Sequence, residues 1–362
     1  MKKITKIISI FIIDVLLLIV VLNIMDIKGT DVSSYIKRIL GIQVVTTEGT
    51  QYYKTDDEHL VALTSHELQE EDLEYAYNQL LHLQEISENH GANFLYFAVP
   101  EKAYFGEYED KVVDYSKVNY DKFISGLRVN GIAYVDLQEE LFDYENPMDA
   151  YYKTDSHWKI EIGLEATESI CQSLNARFDF GYNDKLTDSN RYSFVTYEDY
   201  FLGSYGKNVG TYFTSEGADD FVLLTPAFET ALTVEVPSND SVRSGSFEET
   251  LLYMENLEKD YYEKDVYATY SGGDYRLQII KNNLIEEGNK VLIIRDSFGG
   301  AVTPFLSLQV SELHICDVRD GEGLVDAKIN IEEYINEIHP DYVLVLYAGT
   351  DMDSGRNDFF AK

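Results

Sequence analysis

The chain has 362 residues, 45% of them apolar, so wholesale disorder is excluded and one large domain or two modest ones fit. Its formal net charge of −35 argues against nucleic acid, or an anionic membrane surface, as the main partner. Tyrosine is abundant, with 29 residues, as in a Tyr-rich core or a sugar cleft. The two cysteines, Cys171 and Cys316, have apolar neighbours and no metal-type spacing. Two separate buried thiols or a single disulfide both fit.

Lys2, Lys3 and Lys6 precede an almost wholly apolar run, Ile7 to Ile24. The run has the length of a bilayer span, ~20 residues, and a basic flank that belongs in the cytoplasm. No small-residue cleavage motif follows, so residues 1–27 read as a flank and an uncleaved transmembrane signal anchor centred on 7–25. Residues 28–60 are polar and mixed, as in a stalk. From residue 61 onward, outside the cytoplasm, a domain begins.

Apolar residues at helical spacing predict a helix over 70–89, closed by Gly91. Runs at 93–99 and 132–137, with a helix near 119–129 between them, read as strands of a mostly parallel sheet. Cap-type residues Thr154, Asp155 and Ser156 lead into a helix that begins near Ile160. Residues 180–285 change character and predict a β-rich insertion, with 237–246 as a flexible tip. The βα alternation then returns with strands at 291–296, 312–318 and 342–347 and helices near 300–309 and 331–338.

Ser297 ends the apolar run Val291-Leu292-Ile293-Ile294 and precedes Gly299-Gly300. That places it at the carboxyl edge of a strand, where open α/β sheets bind ligands and helix amides favour developing negative charge. It reads as a nucleophile or as a helix cap. A serine nucleophile needs a base, and the base needs an orienting partner. Asp155 and His157 sit two residues apart on one turn and fit those roles. They also fit a cap and a packed histidine, or two metal ligands that lack a further His/Asp/Glu cluster. Trp158, the only tryptophan, is either an anchor beneath that turn or a stacking platform for sugar.

Tyr152-Lys153-Thr154-Asp155-Ser156-His157-Trp158 resembles the Asp-x-His-Trp signature of the DHHW proteins, which are similar to the AlgX/AlgJ-type polysaccharide O-acetyltransferases with SGNH-hydrolase-like domains. Val99-Pro100-Glu101-Lys102, Phe201 to Lys207, Asp296-Ser297-Phe298-Gly299, Asp317-Val318-Arg319 and Pro340 to Leu344 extend the resemblance across about residues 90–350, in the family's order. It implies an SGNH-like α/β domain over 61–362 and a triad of Ser297, His157 and Asp155. Arg295 stands where the general motif has Gly, and Tyr347-Ala348-Gly349-Thr350-Asp351 lacks the family's Asn, which leaves the Ser297 amide as the safest oxyanion donor. Arg295 and Arg319 read as charge for the site or, preferably, as ion-pair members. Tyr205 and Lys207 are candidate rim contacts to substrate.

The resemblance implies O-acylation, with acetyl the expected group, of a cell-surface or exported polysaccharide. A membrane-bound O-acyltransferase would supply the acyl group, and neither a cofactor nor a metal is required. A glycan O-acetyl esterase of the same fold, and a non-catalytic glycan-binding or assembly factor, are the alternatives.

Overall fold

The structure is a computed structural model that describes residues 29–142, 144–320, 324, 328–348 and 356–360. The expected anchor over 7–25 and the Gly349-Thr350-Asp351 block lie outside the described residues. Among those described, no helix is long and apolar enough to cross a membrane.

A helix, Gly29–Ile39, leads into three antiparallel strands, β1 (Val44–Thr47), β2 (Thr50–Lys54) and β3 (Leu60–Leu63). This corrects the stalk expected over 28–60. Val45, Tyr52 and Leu60 bury themselves against Val209 and Phe213, and the Leu60 amide donates to the Lys153 carbonyl at 2.8 Å. The segment is polar on average because only one face of each short strand is covered.

The remaining strands are β4 (Asn93–Val99), β5 (Tyr134–Asp136), β6 (Tyr192–Phe201), β7 (Asp219–Pro226), β8 (Leu232–Val236), β9 (Ser241–Gly245), β10 (Leu277–Asn282), β11 (Lys290–Arg295), β12 (Glu312–Cys316) and β13 (Tyr342–Ala348). Eight of them form one mixed sheet in the order β5-β4-β13-β11-β12-β10-β8-β9. The first five run parallel and correspond to the five strands read from the sequence. β10, β8 and β9 then extend the sheet antiparallel. The expected 180–285 insertion is thus only partly a projection: β6 and β7 pair with each other, while β8–β10 complete the main sheet. The tip expected over 237–246 is a turn at Pro237–Asn239 followed by edge strand β9.

Alternate residues of the central strands feed two cores, as the pleat requires. Leu95, Phe97, Val291 and Ile293 face one way, onto helix Ile160–Phe178 and the β6–β7 hairpin. Phe94, Tyr96, Leu292 and Ile294 face the other way, onto helices Glu70–Asn89, Ser116–Asn130 and Ile331–Ile338. Both cysteines are buried and unpaired.

The helix expected near 300–309 is shorter: a 3₁₀ turn, Ser297–Ala301, precedes one α turn, Thr303–Leu306. Gly299 and Gly300 disfavour the α form, and Pro304 has no amide to continue an earlier turn.

Candidate active site

Ser297 leaves the carboxyl end of β11 as the first residue of the 3₁₀ turn. Asp296 fixes that exit. It is fully buried and accepts from the amides of Phe298 at 3.0 Å and Ala348 at 2.7 Å, and from Arg356 at 3.0 Å. Three charge-assisted bonds to one carboxylate hold the turn against the neighbouring strand β13.

Asp155 and His157 lie on a closed loop. Tyr151 bridges Trp158, the Tyr152 amide donates to the His157 carbonyl at 3.1 Å, and the Lys159 amide donates to Ala150 at 2.9 Å. Helix Ile160–Phe178 follows, and its Gly163 lies against the end of the Ser297 turn. A Cβ at 163 would come within 2.4 Å of the Ala301 carbonyl, so only glycine permits this approach.

The loop and the turn meet at the three side chains named from the sequence. His157 Nε2 lies 2.7 Å from Ser297 Oγ, and His157 Nδ1 lies 2.5 Å from Asp155 Oδ1. Asp155 also accepts from the His157 amide at 3.0 Å and, on its other oxygen, from the Ser204 amide at 2.6 Å. The imidazole is stacked on Tyr267, with centroids 4.4 Å apart and planes 16° apart, and Phe298 tilts against it. Its side chain keeps 17% exposure, so the site meets solvent.

Charge and burial compete here. Burial opposes a charged His157, but the Asp155 carboxylate, with Asp265 and Asp274 further out, holds its pKa above the usual histidine value. Burial likewise opposes ionised Asp155, yet the histidine charge and the hydrogen bonds from His157 and Ser204 hold its carboxyl well below the usual carboxylate range. A serine, a base with its second nitrogen committed to a carboxylate, and partial exposure form an arrangement able to activate a hydroxyl.

Four residues that the sequence left without a role build the loop. The Lys102 ammonium is buried and donates to the carbonyls of Tyr152 at 2.8 Å, Lys153 at 3.2 Å and Asp155 at 2.5 Å. Burial pushes its pKa down to about 7, although Asp219, Asp155 and Asp57 pull the other way. Asp219 accepts from the amides of Lys153 at 2.6 Å and Thr154 at 2.8 Å, and from the Thr154 hydroxyl at 2.5 Å. Gly203 lets the chain pass Asp155, since a Cβ there would lie 2.2 Å from that of Asp155. Tyr267 supplies the stacking ring. The run Val99-Pro100-Glu101-Lys102 was the one sequence signal for Lys102.

The lesser candidates are occupied elsewhere. Trp158 is fully buried and donates from Nε1 to the Phe298 carbonyl at 3.1 Å, which makes it an anchor and removes it as a stacking platform. Arg295 is buried and paired with Asp274, and Arg319 bridges Asp274 at 3.0 Å and Asp317 at 2.5 Å. Tyr205 packs on Tyr52 and under the Lys102 ammonium. Lys207 donates to the Lys264 carbonyl at 2.7 Å. These two thus have packing and loop-tying partners, and both are half-buried. Among the described residues, the metal-type group is Asp57, His59 and Asp149, and neither Asp155 nor His157 belongs to it.

Residues 54–183 match the family described as SGNH hydrolase-like domain, acetyltransferase AlgX. No curated protein sequence matches the chain. Among solved structures, Bacillus cereus PatB1 with a sulfonyl adduct aligns with a TM-score of 0.71 at 18% identity, covering 87% of this chain and 100% of that one. PatB1 without it gives 0.70 at 20% identity, covering 86% and 99%. A DHHW family protein from Eubacterium siraeum DSM 15702 aligns at 0.63 and 18% identity, covering 88% and 98%. The family match spans the Asp155–His157 loop, and the fold around it is shared over nearly the whole described chain. Together they give residues 54–183 the likeness of an SGNH hydrolase-like AlgX domain and give the described chain the fold of these solved structures.

Proposed function

We propose that this chain is a serine-dependent O-acyltransferase that moves an acetyl group onto hydroxyls of a cell-surface or exported polysaccharide. The observation that carries the reading is the continuous line from Ser297 Oγ through the His157 ring to Asp155, at 2.7 and 2.5 Å. The AlgX-type domain supports acyl transfer as the chemistry.

In this reading Ser297 Oγ attacks the acyl carbonyl while His157 Nε2 takes its proton and passes it to the departing group. An ester forms on Ser297. An acceptor sugar hydroxyl then gives its proton to Nε2 and attacks the ester, and Ser297 recovers its proton as the sugar ester leaves. Asp155 keeps Nδ1 protonated and so leaves Nε2 free to accept. The Ser297 amide serves the oxyanion. With residues 7–25 as a membrane anchor and the domain outside, a membrane-bound O-acyltransferase supplies the acyl group, and the protein's own residues perform the transfer without cofactor or metal.

The test combines a sulfonyl fluoride probe with a product assay. The probe should modify Ser297, mapped by peptide mass. With p-nitrophenyl acetate and an oligosaccharide, mass spectrometry should show acetylated sugar that is absent from Ser297→Ala. Acetate release unaffected by oligosaccharide, together with deacetylation of an acetylated glycan, would assign the esterase reading instead. An unlabelled, inactive protein would assign the binding-factor reading.

A further inference from the structure

Helix Gly29–Ile39 carries an unusual face. Tyr35, Ile36, Ile39, Leu40 and Ile42 are 47%, 51%, 65%, 69% and 37% exposed, five of the fifteen large exposed apolar residues among those described. Positions 35, 36, 39 and 40 make one stripe, since residues four apart stack on a helix. Scattered exposed apolar side chains need no account, but five within eight residues do.

The helix is not a loose end. Its opposite face is docked: buried Asp31 accepts from the Thr211 amide at 2.9 Å and the Tyr262 hydroxyl at 2.5 Å. Arg38 donates to the Thr214 carbonyl at 2.8 Å, and Gly210 passes so close that a Cβ there would lie 2.6 Å from Ser34 Cβ. The apolar stripe is therefore held outward by a fixed mount.

The sequence points to what covers it. Four residues separate the apolar run Ile7–Ile24 from Gly29. The five steps from Ile24 to Gly29 reach at most about 18 Å, and the headgroup layer is roughly 5–8 Å deep, so a chain leaving the bilayer enters this helix within one short link of the lipid surface. Lys28 and Lys37 offer lipid phosphates positive charge at this end of an acidic protein, while Arg38 is committed to the docked face. An amphipathic helix with that composition lies in the interface plane.

We propose that helix Gly29–Ile39 and the turn through Ile42 rest on the bilayer with the Tyr35, Ile36, Ile39, Leu40 stripe in the lipid, setting the orientation of the active-site domain. The proposal rests on the anchor reading of residues 7–25. The helix docks on Gly210–Thr214, which directly follows helix Ser204–Val209, whose first amide holds Asp155. The lipid contact is thus one element from the triad, and it presents the site to an acyl group arriving through the membrane.

The test uses the full chain in vesicles of phosphatidylcholine and phosphatidylglycerol. A nitroxide is placed at Ile39→Cys, Leu40→Cys or, as a water-facing control, Val242→Cys. Cys171 and Cys316 are buried and stay unlabelled. Retained acyl transfer shows that each variant folds. Labels at 39 and 40 should collide more with oxygen and several-fold less with a water-soluble nickel chelate than the label at 242. Equal nickel access at 39 and 242, in protein that resists carbonate extraction, overturns the helix proposal and leaves the anchor standing. Extraction by carbonate overturns both. Labels that are wet in pure lipid but dry in native membranes overturn the lipid as occupant and assign the face to a protein partner.

Discussion

Ser297 and His157 stand 2.7 Å apart, yet they are held by different means. Ser297 is placed by the sheet: β11 is flanked by parallel partners on both sides, and buried Asp296 pins the exit to β13. The Asp155–His157 loop has no regular structure of its own beyond one bridge. It is held by polar side chains from distant segments, Lys102 before it and Asp219 after it. The serine on a strand end inherits the rigidity of the core, whereas the histidine on a loop depends on a few charged hydrogen bonds that can be removed one at a time.

The largest effect should come from the side that needs no scaffold. On the proposed reading, Ser297→Ala removes the attacking oxygen from a turn still held by Asp296, so transfer should fall by about 10⁴–10⁶-fold with an unchanged melting curve. A fall in Tm alongside would mean that the hydroxyl also supports the turn and that the two regions are less separate than argued.

Asp155→Asn should cost about 10⁴-fold, since an amide can favour the wrong imidazole tautomer. It also sharpens the electrostatic account. In the intact protein kcat/KM should rise with pH through a pKa above the ordinary histidine value of about 6.5, because Asp155 outweighs burial. In the variant that limb should move to lower pH. The paired groups also bear on stability. The part due to His157 is present below its unfolded pKa and lost as pH rises through its higher folded pKa. The part due to Asp155 is present above its unfolded pKa and lost as pH falls through its depressed folded one.

Lys102→Met tests the loop scaffold directly. It leaves the carbonyls of Tyr152 and Asp155 without their donor, at about 1–3 kcal/mol each, while the Lys153 carbonyl keeps the Leu60 amide, and the loss is partly offset because methionine carries no buried charge. Tm should drop by several degrees, and kcat should fall by about 10²-fold through misplacement of His157. An unchanged kcat would show that Asp219 alone suffices to hold the loop.

The same contrast governs what could be read from the sequence. The five parallel strands are legible because burial on both faces writes a continuous apolar run, as in Phe94 to Val99 and Val291 to Ile294. The alternation in Leu232 to Val236 also announces a strand, but nothing local says that it joins the main sheet through β10. Helix Gly29–Ile39 escaped notice because its apolar stripe faces outward and its polar side carries the docking contacts. Ser297, Asp155 and His157 stood out as reactive residue types in a family-like pattern. Lys102 and Asp219 did not, because a lysine or aspartate is ordinarily a surface residue, and only the folded chain shows the carbonyls and amides they serve.

Trp158→Phe should have the smallest effect and bears on the seam between the two regions. The indole sits beside His157 in sequence and reaches the other half of the site through its bond to the Phe298 carbonyl and an edge-on contact with the Phe298 ring, 5.5 Å between centroids at 85°. Phenylalanine keeps much of the ring contact but leaves that carbonyl without its donor and opens a small void, for a loss of about 1–3 kcal/mol. Because the seam slackens without losing a reacting group, kcat should fall only a few-fold while KM for the oligosaccharide holds. A sugar-stacking tryptophan would give the opposite pattern, a raised KM with stability untouched. A side chain with no exposed surface cannot offer a face to a sugar, so a selective rise in KM would show that this loop opens when the acceptor arrives.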